Sequence, residues 1–144
     1  MPAEDPHVAY FENFVADRAI SYGITKGVVQ GSEIVAKPDG SRFTLKVPND
    51  EISIGLKLPG EFNVRNATAA AAACLAFGIT LPAIKKGLEI EAQIPGRLET
   101  INVGQPFTAV VDYAHTVDSL TKLLTLFKGL TKGRLILVFG CTGG

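Results

Sequence analysis

Phe107-Thr108-Ala109-Val110-Val111-Asp112-Tyr113-Ala114-His115-Thr116 is the stretch that decides the fold class of this chain. Its first five residues are an apolar run of buried-strand length, which places Asp112 where the strand emerges. Thr116 is a helix-capping residue type, and Leu120, Leu123, Leu124 and Phe127 follow it at the i, i+3, i+4, i+7 spacing of one helical face. An acid and an imidazole are thereby held at a strand-to-helix turn, the edge at which open α/β sheets bind ligands. Just upstream, Ile94-Pro95-Gly96-Arg97-Leu98-Glu99 sets an arginine on a Pro-Gly turn. This combination suits an anion and a nucleotide.

The same stretch organises what lies around it. Helix 117–128 leads to a second apolar run, Arg134-Leu135-Ile136-Leu137-Val138-Phe139, so strand 107–112, this helix and strand 134–139 read as a βαβ unit with a right-handed parallel crossover. A strand over about Glu99–Val103 and a Gly104-Gln105-Pro106 turn precede it, and Gln93-Ile94-Pro95-Gly96 is the best boundary. One βαβ unit is the opening of a doubly wound sheet, not all of it.

Upstream of the boundary the pattern changes. Residues 1–16 are a lead-in without a clear period. Short strands follow over 19–22, 27–29, 33–36, 43–47 and 52–58, with turns at Gly31-Ser32, Pro38-Asp39-Gly40-Ser41 and Pro48-Asn49-Asp50. Strand 43–47 alternates apolar and polar residues, as an antiparallel sheet with one wet face requires. After Pro59-Gly60, Asn63 is placed to cap a helix over about Val64 to Phe77 that contains five consecutive alanines and ends at Gly78. A second helix runs over about Leu81 to Glu91 with Pro82 in its first turn.

Composition removes several function classes. Fourteen basic and fourteen acidic residues cancel, so no basic stripe points to nucleic acid. Met1-Pro2-Ala3-Glu4-Asp5-Pro6 is unlike a signal peptide, and the near-apolar run Ala67 to Leu81 is too short and too Ala-rich to span a bilayer. Cys74 and Cys141 have no metal-type spacing, and with no export signal they read as reduced thiols in a cytoplasmic protein.

Four segments in this order resemble the Mur ligases, the ATP-dependent amino-acid ligases of peptidoglycan synthesis. They are Pro59-Gly60-Glu61-Phe62-Asn63-Val64-Arg65-Asn66-Ala67, then Ile94 to Glu99, then Val111 to Thr116, then Leu137-Val138-Phe139-Gly140-Cys141-Thr142-Gly143-Gly144. The Asp-Tyr-Ala-His-Thr form is similar to that of the members adding the third residue, which join UDP-N-acetylmuramoyl-L-alanyl-D-glutamate to diaminopimelate or L-lysine. The resemblance implies an α/β fold in two pieces. Residues 1–93 would be the later half of the central ATP-binding domain, with antiparallel strands and two helices. Residues 94–144 would open a Rossmann-like C-terminal domain.

The resemblance also implies roles. Asn63 and Asn66 fall on two asparagines beside the nucleotide, Arg97 on the arginine that reaches the ATP phosphates, Asp112 on the acid that contacts the ribose and anchors the hinge, and His115 on a nucleotide-proximal position. These groups are chemically apt: amides offer donor and acceptor to a base edge, guanidinium forks phosphate oxygens, and carboxylate takes hydroxyl donors. On residue type alone Asn63 serves equally as a helix cap, whereas Asn66 needs a partner if buried. Glu99 reads as a partly exposed strand residue, Tyr113 as a packing residue, and His7 as solvated. Cys141 is no nucleophile, since no histidine is close in sequence to activate it. Gly143-Gly144 could receive phosphate only with a helix beyond this chain.

The departures bear on activity. No Gly-x-x-x-x-Gly-Lys-Ser/Thr loop occurs in this sequence. In the family that loop, the magnesium-holding acid and histidine, and a carbamylated lysine precede the region matched here. Val117 stands where the subgroup has proline, and Thr142 where the final motif has glycine. The expectation is a fragment that carries half a nucleotide site and is inactive alone. Two alternatives remain open. One is a folylpolyglutamate-synthase-like or cyanophycin-synthetase-like ligase, disfavoured because those tend to show Asp-Gly-Ala-His-Asn or Asp-Tyr-Gly-His-Asn at the Asp112 position. The other is a non-catalytic binding or partner module that keeps the fold.

Overall fold

Gly31, expected in a turn, lies inside a nine-residue strand as its third residue, and the reason defines the core. The computed structural model describes residues 1–14, 16–17, 19–90 and 94–140. After a short helix, α1 (Val8–Glu12), four strands form one sheet in chain order: β1 (Tyr22–Gly23), β2 (Val29–Lys37), β3 (Gly40–Val47) and β4 (Asp50–Leu56). The two separate strands expected over 27–29 and 33–36 are therefore one, β2. A Cβ on Gly31 would meet Thr68 Oγ1 at 2.6 Å and Val64 Cγ1 at 2.9 Å, so this glycine admits the helix α2 (Glu61–Ala76) rather than turning the chain. The bend instead comes between Ser32 and Val35, where the β2–β3 register shifts and Glu33 adopts φ 54°.

β2, β3 and β4 are antiparallel as expected, while β1 pairs with β2 in parallel. Both hairpins close on two residues. Lys37 pairs with Gly40 across Pro38-Asp39, and Val47 pairs with Asp50 across Pro48-Asn49. In the second, Asn49 takes φ 68°, the left-handed conformation that Asn tolerates best after Gly. The lead-in is tied beside β1: the Met1 ammonium donates to the Ile20 carbonyl at 2.6 Å, and Pro2 bridges Tyr22 in parallel.

One face of the sheet carries Val29, Phe43, Leu45, Ile54 and Leu56, which α2 and α3 (Leu81–Ile90) cover with Val64, Ala67, Ala71, Ala72, Leu81 and Ile84. Alternation along β3 puts Phe43 and Leu45 fully inside and leaves Thr44 and Lys46 half-buried on the other side. The alanines explain the close helix–sheet approach. α2 starts one turn earlier than expected: its N-cap is Gly60 at φ 96°, and Asn63 lies inside its first turn, which corrects the capping role considered for Asn63. A glycine is needed there because a side chain rarely adopts that φ. At the other end Gly78 donates to Leu75 O at 3.0 Å and Ile79 to Cys74 O at 3.1 Å, the paired bonds of a Schellman stop.

Two compact units divide the chain, Met1–Asp112 and Tyr113–Gly144. The first ends with a two-stranded antiparallel sheet, β5 (Glu99–Ile101) and β6 (Ala109–Val111). The second contains α4 (Val117–Leu130), capped by Thr116 as expected, with Ser119 completing a reciprocal capping box. The expected strand over 134–139 does not form: these residues make no ladder, and Leu135 to Phe139 are 41–91% exposed. A parallel strand buried on both faces needs neighbours along its edges and helices above and below, and the described residues of the second unit supply one helix. The final motif residues Cys141 to Gly144, and Gln93 at the expected boundary, lie outside the described residues.

Candidate functional site

Arg97 sits on a cusp of the chain built by its neighbours. Pro95 and Gly96 are the central residues of a turn closed by the Arg97 amide donating to the Ile94 carbonyl at 2.9 Å. Proline supplies the fixed φ of the first position, and Gly96 at φ 68° supplies the positive φ of the second, the type II pattern. Leu98 then takes φ 49°, a left-handed conformation that costs a non-glycine residue about 1–2 kcal/mol. Its side chain is only 5% exposed, and that burial contributes on the order of 1.5–3 kcal/mol in the opposite direction.

The strand register delivers Asp112 to this cusp. Glu99 pairs with Val111, so continuing the antiparallel ladder by one residue sets Leu98 opposite Asp112. There the Leu98 amide donates to Asp112 Oδ2 at 2.9 Å. The Gly96 amide donates to Glu99 Oε2, also at 2.9 Å. The backbone amides on both sides of Arg97 thus end on carboxylates, and Arg97 itself is exposed. A guanidinium is the side-chain group whose geometry forks phosphate oxygens.

The other candidate residues are placed as follows. Asn63 and Asn66 lie one turn apart near the start of α2. The Asn63 side-chain amide donates to the Pro59 carbonyl at 2.8 Å, leaving its own carbonyl oxygen as the group to meet a donor. Asn66 is exposed, so the partner it would need if buried is not required. His115 belongs to the second unit, is exposed, and has Nδ1 3.0 Å from the Tyr113 carbonyl oxygen. Tyr113, expected to pack, is 66% exposed and meets the His115 ring edge-on at a centroid distance of 5.2 Å. The structure therefore brings Arg97 and Asp112 to one turn and the two asparagines to one helix end.

Two features escaped the sequence. Glu99 was expected as an ordinary strand residue, yet it reaches back to its own turn; the signal was a carboxylate three residues after a glycine amide. The second is Glu4. Its Oε1 accepts from the Ile24 amide at 2.8 Å, the Thr25 amide at 2.5 Å and the Thr25 hydroxyl at 2.9 Å, and its Oε2 pairs with Arg65, which lies between the two asparagines on α2. Burial works to raise the Glu4 pKa, but the Thr25 and Ile24 donors and Arg65 together hold it down at about 2, from an ordinary 4.5. Arg65 is correspondingly shifted up: burial opposes its charge, and Glu4 and then Glu61 outweigh that. No local sequence signal links Glu4 to a residue on α2 so far along the chain.

Among the described residues no cluster of three His, Cys, Asp or Glu groups is placed to hold a metal ion. No helix among them is long and apolar enough to cross a membrane.

This geometry has clear relatives. The Mur ligase middle domain matches residues 1–74, and the Mur ligase glutamate ligase domain matches residues 96–144. The chain is 41% identical over 141 residues to the UDP-N-acetylmuramoyl-L-alanyl-D-glutamate–2,6-diaminopimelate ligase of Geobacillus thermodenitrificans, covering 97% of this chain and 29% of that protein. It is equally similar, at 41% over 142 residues, to the enzyme of that name from Bacillus velezensis, covering 98% of this chain and 29% of that protein. Among solved structures, the UDP-N-acetylmuramoylalanyl-D-glutamyl-2,6-diaminopimelate–D-alanyl-D-alanyl ligase of Acinetobacter baumannii superimposes with a TM-score of 0.82 at 30% identity, over 90% of this chain and 29% of that one. The chain thus spans under a third of the length of the curated relatives it matches. With both domain types matched in family order, and with the arginine turn and its acid at the start of the second, the chain belongs to the Mur ligase family.

Proposed function

We propose that this chain supplies the hinge-side part of the nucleotide site of a cytoplasmic, MurE-type ligase. That enzyme would add diaminopimelate or L-lysine to UDP-N-acetylmuramoyl-L-alanyl-D-glutamate, and this chain alone would not complete the reaction. In this reading the boundary between the central and C-terminal domains falls at 93/94. ATP would supply phosphorylation of the D-glutamyl side-chain carboxylate, giving an acyl phosphate that the incoming amine attacks with release of phosphate.

The observation that carries the reading is the double use of the β5–β6 register: it brings Asp112 to Leu98 and leaves Arg97 exposed at the cusp. Arg97 would neutralise phosphate charge, Asp112 would accept from a ribose hydroxyl while keeping the turn, and Asn63 and Asn66 would meet the base. His115 would lie close to the nucleotide. Magnesium would be held by residues outside the matched region, as the family pattern implies.

Calorimetric titration of the chain with ATP and magnesium tests this, beside an Arg97→Ala, Asp112→Ala double variant. Saturable binding by the parent chain that falls at least tenfold in the variant is expected, since one charge-assisted hydrogen bond is worth about 1.5–3 kcal/mol. Equal binding by both would overturn the assignment, as would absence of binding by a chain shown to be folded.

A further inference from the structure

Arg97 lies between two residues in left-handed conformation, Gly96 at φ 68° and Leu98 at φ 49°. A backbone held this way does not keep its shape through local preference, because an unrestrained leucine leaves that region readily. Restraint comes from both sides. After Arg97, Asp112 Oδ2 takes the Leu98 amide; before it, Glu99 Oε2 takes the Gly96 amide. Glu99 is half-buried at the first residue of β5, where pairing with Val111 fixes its backbone. Its side chain reaches back over the turn from an anchored position.

We propose that Glu99 is a positioning residue for Arg97: it clamps the turn from the upstream side, so that the guanidinium is presented in one direction to an anionic group of the ligand. The inference rests on the nucleotide reading above and deepens it, by assigning a second carboxylate to the task of aiming a cation it does not need to touch. The arrangement has a chemical logic. A carboxylate beside a phosphate-binding arginine would compete for the guanidinium; satisfied by a backbone amide, it holds geometry instead. Loss of the clamp would therefore weaken contacts to phosphate and leave contacts to the nucleoside intact.

The test uses the full chain, labelled with nitrogen-15, as parent, Glu99→Ala and Glu99→Gln. Glutamine keeps an acceptor oxygen for the Gly96 amide, whereas alanine removes it. Hydrogen exchange of the Gly96 amide reports the clamp itself, and titrations with ATP and with adenosine report its use. In Glu99→Ala the Gly96 amide is expected to lose protection and ATP to bind about tenfold more weakly, the loss of one charge-assisted hydrogen bond's worth of orientation. Adenosine binding should be unchanged, and Glu99→Gln should restore both properties to within about threefold of the parent. An unchanged Gly96 amide in Glu99→Ala overturns the clamp. A changed amide with ATP and adenosine weakened equally, or with neither weakened, overturns the positioning role. A folded parent chain that binds no ATP overturns the nucleotide reading and this inference together, and the Gly96 exchange then identifies Glu99 as a turn contact only.

Discussion

Glu4 collects three donors on one carboxylate oxygen and an arginine on the other, although nothing adjacent in sequence asks for them. Its folded pKa, about 2, lies below the ordinary 4.5, so the unfolded chain binds this proton more readily. The stabilisation is accordingly full above about pH 4.5 and is lost as the pH falls through about 2. Urea unfolding followed between these limits should show stability declining with acid in the parent and a flatter profile in Glu4→Gln. At neutral pH that variant should be less stable by about 1–3 kcal/mol, because its amide sets a donor against Arg65. A parent and variant with parallel pH profiles would contradict the assignment. This residue scale is also where the sequence was least readable. Gly31 resembles a turn residue by type, but its purpose is the approach of Thr68 and Val64 from a helix that begins thirty residues later. Asp112 was readable because the apolar run before it ends there. Glu99 was not, because a side chain that bonds back to its own turn leaves no periodic mark.

Elements were legible wherever their ends are coded locally. Thr116 and Ser119 close the start of α4 as the residue types suggest, Gly78 stops α2, and both Pro-containing hairpins fall at their turn clusters. Asn63 has the residue type of a cap, but α2 begins a turn earlier at Gly60, whose φ of 96° no residue-type preference for capping announces. The error over 134–139 has another origin: an apolar run states a preference for strand, and a ladder also requires partners. α4 carries no fully buried residue, so its cap matters more than it would in a core helix. Thr116→Ala should cost the helix about 1 kcal/mol. Amide exchange over Val117–Leu130 should accelerate in that variant, while exchange in β2, β3 and β4 stays as in the parent. Unchanged exchange in α4 would show that the cap is dispensable.

Across the whole molecule, the buried apolar cluster lies within residues 29–84, between the four-stranded sheet and two helices. The family assignment followed from order: four short motifs, each weak alone, occur in sequence with fitting gaps, and both domain matches agree with it. What order does not convey is how much of the fold each segment can complete by itself. Leu135-Ile136-Leu137-Val138-Phe139 is apolar chain outside any helix or strand and left largely in water, without a proline or a charge inside it. Segments of about six such residues are able to stack across molecules in register, sheet upon sheet, as cross-β assemblies. Ile136→Lys should raise the protein concentration at which light scattering sets in, with no change in the urea midpoint of the core. An unchanged onset would exonerate the segment. A raised onset would mean that association of this protein starts from its intact fold, through five residues outside the buried cluster, and needs no prior denaturation.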